Sequence, residues 1–105
     1  MAVIATNLQP GLVLTASSAT VVNAQAGTTL ISNGVVSNPT GAAVSLTVQI
    51  QRSGGTTQAL IPSRAVQANG TDLMPELSGR VLAAGDKILA LGTGLVIVVD
   101  GNQLS

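Results

Sequence analysis

Val44-Ser45-Leu46-Thr47-Val48-Gln49-Ile50-Gln51 is the stretch from which the fold can be read. Its aliphatic side chains, Val44, Leu46, Val48 and Ile50, alternate with Ser45, Thr47, Gln49 and Gln51. A period of two puts every aliphatic group on one face of a strand and every polar group on the other. Arg52-Ser53-Gly54-Gly55 follows, and its glycines tolerate the positive φ that a hairpin turn requires. Residues 56–61 are expected to return antiparallel to the first strand. Pro62 cannot donate to a ladder, so it marks a strand end or a sheet edge.

Working outward, further strands are predicted over 12–16, 20–23, 28–37, 71–74, 87–91 and 95–100. Leu95-Val96-Ile97-Val98-Val99 shows no alternation, and an unbroken β-branched run fits a strand buried on both faces. A two-layer sandwich normally leaves one face wet. The second face of this strand is therefore expected beneath a neighbouring subunit or a loop of the same chain. Gly and Pro interrupt most windows long enough for a helix, and Gly85 cuts off Val81-Leu82-Ala83-Ala84 before a helical period develops. Short strands between turn signals suit a sandwich, a jelly roll or a barrel; a single antiparallel β-sandwich or jelly-roll of about eight strands is the expectation.

Three corners share one logic. Ala24-Gln25-Ala26-Gly27-Thr28-Thr29-Leu30 recurs loosely as Val66-Gln67-Ala68-Asn69-Gly70-Thr71-Asp72-Leu73 and as Leu82-Ala83-Ala84-Gly85-Asp86-Lys87-Ile88. In each, small residues approach a Gly turn, and a Thr or Asp able to hydrogen-bond the turn backbone leads into an aliphatic strand. Their spacing is uneven, which argues against a solenoid.

Composition bounds the function. At 105 residues the chain holds one domain, 46% of it hydrophobic, with no Phe, Tyr or Trp. A core without aromatic rings must be filled by small aliphatic side chains, and small domains have little surplus stability, so oligomerisation is an expected remedy. Charged residues make up 8%, four basic and four acidic, for a formal net charge of zero. That leaves no basic patch for nucleic acid. Such a surface suits a protein held inside an assembly, and equally one kept in solution by Ser, Thr, Asn and Gln. Met1-Ala2-Val3-Ile4-Ala5 is apolar, but no basic residue precedes it, and it reads neither as a signal peptide nor as a membrane span.

The absence of Cys and His removes disulfides, thiolate chemistry, the usual zinc ligands and the common nucleophile–base pairs. The carboxylates are Asp72, Glu76, Asp86 and Asp100. Asp72 and Glu76 could form an acid/base pair of the glycosidase kind, but no aromatic platform accompanies them, and they read as turn and loop charges. No cluster of oxygen ligands suggests calcium, although Asp86 and Asp100 could contribute to a site if brought together. Gly92-Thr93-Gly94 lacks the Gly-Lys-Ser/Thr ending of a phosphate loop. Thr28-Thr29 and Thr56-Thr57 are isolated pairs, unlike the Thr rows of an ice-binding face. The expectation is no enzyme and no cofactor, with association as the function.

Three stretches, in their order, resemble small tailed-phage virion proteins with a β-sandwich or jelly-roll fold, most of all capsid decoration (cement) proteins. The first is Ala26-Gly27-Thr28-Thr29 leading into a strand. The second is Asn38-Pro39-Thr40-Gly41-Ala42-Ala43, followed by the alternating strand, Gly54-Gly55-Thr56 and a return strand. The third is Val81-Leu82-Ala83-Ala84-Gly85-Asp86-Lys87-Ile88 followed by the strand 95–100. The resemblance spans roughly residues 24–101. It implies a structural homo-oligomer, trimer or dimer, on the outer head surface of a bacteriophage virion, bridging subunits of the major capsid protein. Before assembly such a protein resides in the host cytoplasm, and it binds neither nucleic acid nor membrane. Related sandwiches in tails and fibres give the alternative: a tail, baseplate or fibre-associated module contacting a host receptor. The family pattern also implies one long strand after Thr28, with a bulge at Asn33-Gly34 where the residues alone allow a hairpin turn.

The expected organisation is an N-terminal arm over 1–11 that reaches a neighbour and a β-sandwich domain over 12–105. Candidate assembly contacts are Val3 and Ile4 from the arm, Arg64 and Arg80 from long connections, and Val96 and Val98 from the unbroken strand. The arginines can pair bidentately across an interface or remain solvated surface charges.

Overall fold

The computed structural model describes residues 3–24 and 27–104. Nine strands occur among them: β1 (Val3–Val13), β2 (Ala19–Asn23), β3 (Thr28–Ser37), β4 (Val44–Gln51), β5 (Thr57–Val66), β6 (Thr71–Asp72), β7 (Val81–Leu82), β8 (Lys87–Leu91) and β9 (Val96–Leu104). They form two antiparallel sheets, one ordered β1-β9-β3-β6 with β7 also on β3, the other β2-β8-β4-β5. The chain passes from one sheet to the other at every connection except β4–β5 and β6–β7. The fold is an all-β sandwich.

The alternating stretch is β4, and its pattern sets the core. Leu46, Val48 and Ile50 are buried, while Ser45 is exposed and Thr47, Gln49 and Gln51 are partly exposed. Opposite them the first sheet contributes Ile31, Val36, Ile97 and Val99, all buried. Met74 and Leu77, from the β6–β7 connection, plug the space beside β3 and are fully buried. The core is thus aliphatic throughout, and its stability comes from many small side chains at about 1.5–3 kcal/mol for each full burial.

The β4–β5 hairpin forms where expected, with Gly54 at φ 71° and the Gly55 N–H donating to the Arg52 carbonyl at 2.9 Å. Its return strand runs on through Pro62 to Val66 instead of stopping at 61. β5 is a sheet edge, where a residue without an N–H is tolerated. β3 is one long strand, as the family pattern implies. Its register slips between Ile31 and Asn33, so the extra residue is Ser32, one position before the expected bulge.

Several boundaries differ from the sequence reading. The described part of the expected arm, residues 3–11, belongs to β1, an edge strand paired with β9 from Val3 to Val13. Asn7, Gln9, Pro10 and Gly11 hide the strand pattern. Two register shifts, between Asn7 and Gln9 and between Gln9 and Leu12, absorb these residues at an edge where irregularity is permitted. The strand expected over 12–16 therefore ends at Val13. The Leu14 N–H instead donates to the Leu95 carbonyl at 2.7 Å, strapping the β1–β2 connection onto the β8–β9 turn. The strand expected over 71–74 is only two residues long, and the apolar pair Val81–Leu82 forms a short strand that was not expected.

The three corners use different residues for the left-handed position. Gly27 (φ 70°) and Gly85 (φ 92°) fill it in the first and third corners, but in the second Asn69 (φ 59°) takes it and Gly70 does not. Asn is the non-glycine residue best suited to that conformation. Ala26, in the first resemblance stretch, lies outside the described residues.

At the β3–β4 crossing, Asn38 is buried and fully satisfied. Its Nδ2 donates to the Ala42 carbonyl at 2.8 Å and to the Val66 carbonyl at 2.9 Å. Its Oδ1 accepts from the Thr40 N–H at 3.0 Å and from the Thr40 hydroxyl at 2.6 Å. This network fixes the path of Asn38-Pro39-Thr40 into β4.

Candidate association surface

β9 is the central strand of the first sheet, flanked by β1 and β3. Leu95, Ile97 and Val99 point into the core and are fully buried, while Val96, Val98 and Asp100 lie on the outer face and are half-buried. The expected two-sided burial is therefore realised on one side. β-branched residues fill both faces, but only the inner one is covered by the second sheet.

Cross-strand partners extend the outer face. Val98 lies opposite Val35 and Val96 opposite Val13, which is 63% exposed. Partners in register share a face and touch, so Val13, Val96, Val98 and Val35 form one aliphatic strip across three strands. A second apolar pair, Leu30 and the 49%-exposed Val81, is in register between β3 and β7. Between them lies a polar row, Asn7, Asp100 and Asn33. Beside it is a shallow depression of about 290 Å³ lined by Thr6, Asn7, Asp100 and Gly101.

Of the candidate contacts, Val96 and Val98 are brought together here. Ile4 is not with them: it is in register with Gln103, on the face of the buried Thr29, at the far end of β1, where it is 55% exposed. Val3 is paired with Leu104 through its backbone, and its side chain lies outside the described residues. Val13 and Val35 were missed by sequence reasoning. Val35 sat in a predicted strand, but only the register against β9 shows that it faces outward beside Val98.

Arg64 and Arg80 are engaged within the chain. Arg64, on the edge strand β5, pairs with Asp72 at 3.2 Å and also with Glu76. These contacts clamp the edge of one sheet to β6 and the following connection of the other. The hydrogen bond from Arg64 holds Glu76 below the usual carboxylate range, and the same bond raises the Arg64 pKa. Asp72 also accepts from the Met74 N–H at 2.7 Å. Arg80 donates to the Glu76 carbonyl at 2.9 Å, and its buried Nε makes no hydrogen bond among the described residues.

Asp86 is built into the third corner. Its carboxylate accepts from the Ser53 N–H at 2.8 Å, the Ala83 N–H at 2.9 Å and Arg52 at 2.8 Å. The Ser53 bond first, then that from Arg52, lowers its pKa against the opposing effect of burial. Among the described residues, no three His, Cys, Asp or Glu side chains are grouped so as to hold a metal ion.

The arrangement can bury aliphatic surface; its acidic groups, Asp100 apart, are already tied to arginine and backbone donors. Comparison with protein families, curated proteins and solved structures finds no match to this chain.

Proposed function

We propose that this protein is a structural virion component, a capsid decoration (cement) protein that binds the outside of a phage head, bridges major capsid subunits and stabilises the shell by association alone. The observation that carries the association reading is the strip of exposed Val13 and half-buried Val96, Val98 and Val35 on the outer face of the first sheet. Apolar side chains gathered on an outer sheet face gain free energy when a partner removes them from water. Without aromatic anchors the affinity is spread over many aliphatic contacts, and attachment at several points compensates for a weak single contact. The internal pairing of Asp72, Glu76 and Asp86 with arginines ties the scaffold together behind that face. The placement on a phage head rests on the resemblance of the three stretches quoted above.

Microscopy of labelled virions tests the placement. Decoration requires many copies over the head, and heads lacking the chain should rupture at a lower temperature than complete ones. Copies confined to the tail, or equal survival of both kinds of head on heating, overturn the reading.

A further inference from the structure

Six of the eight charged side chains are engaged inside the molecule: Arg52 with Asp86, Arg64 with Asp72 and Glu76, and Arg80 with a backbone carbonyl. Lys87 and Asp100 are the remaining two, and among the described residues neither has a hydrogen bond or an ion pair. They have opposite signs and lie on opposite outer faces. Asp100 is on the outer face of the first sheet, between Asn7 and Asn33. Lys87 is on the outer face of the second, between Asn23 and Gln51, with Leu89 and Leu91 further along the same side of β8.

We infer that the outer face of the first sheet docks on the outer face of the second sheet of another copy of this chain, with Asp100 receiving Lys87 of that copy. The inference rests on the association reading above and names its partner. Charge decides the orientation. Packing two first-sheet faces together would bury two Asp100 carboxylates in one contact with no cation in register beside them, and burying unpaired like charges is strongly unfavourable. Packing two second-sheet faces would do the same with Lys87. Front-to-back packing pairs the charges and sets Leu89 and Leu91 against the valine strip. The shallow depression of about 290 Å³ beside Asp100 has room for a lysine head group, and Asn7, in register with Asp100, adds an amide oxygen acceptor on the same face.

The molecule extends 45 × 27 × 19 Å. A face of 45 × 27 Å has room for the ~800 Å² per partner of a stable contact. Strand addition at the edges is the competing mode, and the edges are blunted against it. β1 carries Pro10 and two register shifts, and β5 carries Pro62 and two shifts. β2 has five residues with one shift, and β6 and β7 have two residues each. Because the two docking faces lie on opposite sides of the sandwich, each added copy presents a fresh face. The contact is heterologous and repeats, instead of stopping at a two-fold dimer.

Charge exchange measured by sedimentation and light scattering tests this. The wild-type chain should exceed its 10.3 kDa monomer mass, increasingly with concentration. D100K and K87D should each weaken self-association by about tenfold or more. An equimolar mixture of the two, or the double exchange in one chain, should restore it. A monomeric wild type, single exchanges that leave the mass unchanged, or a double exchange that fails to restore it would each overturn the front-to-back contact. K87D leaves the first-sheet face intact, so it should lose self-association and still fill heads; a K87D chain that self-associates less and leaves heads bare would overturn the virion reading and keep the front-to-back contact.

Discussion

The Asp86 carboxylate accepts a hydrogen bond from the Ser53 N–H at 2.8 Å, so the turn entering β8 is fastened to the β4–β5 hairpin. The same carboxylate holds the Ala83 N–H and the Arg52 guanidinium. One nearly buried acidic group therefore joins two segments, the β4–β5 hairpin at 52–53 and the turn at 83–86. Two consequences for stability follow from its ionisation and its geometry.

The first is a pH dependence of known sign. The folded pKa of Asp86 lies below its unfolded value of about 3.9. Its stabilising contribution is complete above the unfolded value and is lost as pH falls through the lower folded one. Glu76 acts in the same direction, with a smaller effect because its side chain and that of Arg64 are about a third exposed. Urea unfolding between pH 6 and pH 2 should show stability falling below about pH 4, with a shallower fall in Asp86→Asn. An identical acid profile for that variant contradicts the assignment.

Gly85 presses against Ser53 at the same junction. An added Cβ would lie 2.8 Å from the Ser53 Cβ, at a φ of 92° that side chains rarely adopt. Gly85→Ala should destabilise the protein by about 1–3 kcal/mol in chemical denaturation. Gly41→Ala, where nothing approaches within 4 Å and φ lies outside the left-handed range, serves as the near-neutral comparison.

Asn38→Ala removes four hydrogen bonds at a buried crossing, two of them to the Ala42 and Val66 carbonyls. A loss of about 2–4 kcal/mol is expected, from unsatisfied buried groups more than from lost contacts. Thermal melting that places this variant within about 1 °C of the wild type would contradict the network's role.

Ile97→Ala tests the aliphatic core from the strand that also builds the outer face. Ile97 is fully buried, and its truncation should cost about 2–5 kcal/mol through lost transfer energy and a residual cavity. Val98→Ala, one residue along on the half-buried face, should cost far less in the isolated chain. Equal losses at the two positions would mean that both faces of β9 are covered within one molecule.

Those contrasts show what could be read from residues alone. β4 was legible because strict alternation needs only local information, and its Gly-rich hairpin was legible because a turn is equally local. β1 was not, since Pro10 and Gly11 look like loop residues until β9 is known to pair with them across two bulges. The run 95–99 identified a strand, but the burial expected on both faces holds on one, because an unbroken aliphatic pattern cannot say which face is covered. That is decided by layer order, a property of distant segments. The association strip suffered most from this. Val96 and Val98 were visible as residues, while Val13 and Val35 became part of the surface only through register. Arg64 and Arg80 were plausible contacts in sequence because nothing there places Asp72 and Glu76 beside a strand of the other sheet.

The most direct test is occupancy of heads assembled without this chain, measured after adding purified wild-type protein or Val98→Asp. A carboxylate at the centre of the strip should abolish saturable binding while the far-UV circular dichroism stays that of the intact sandwich. If the folded Val98→Asp chain fills the heads as completely as the wild type does, the outer face of the first sheet is not the association surface.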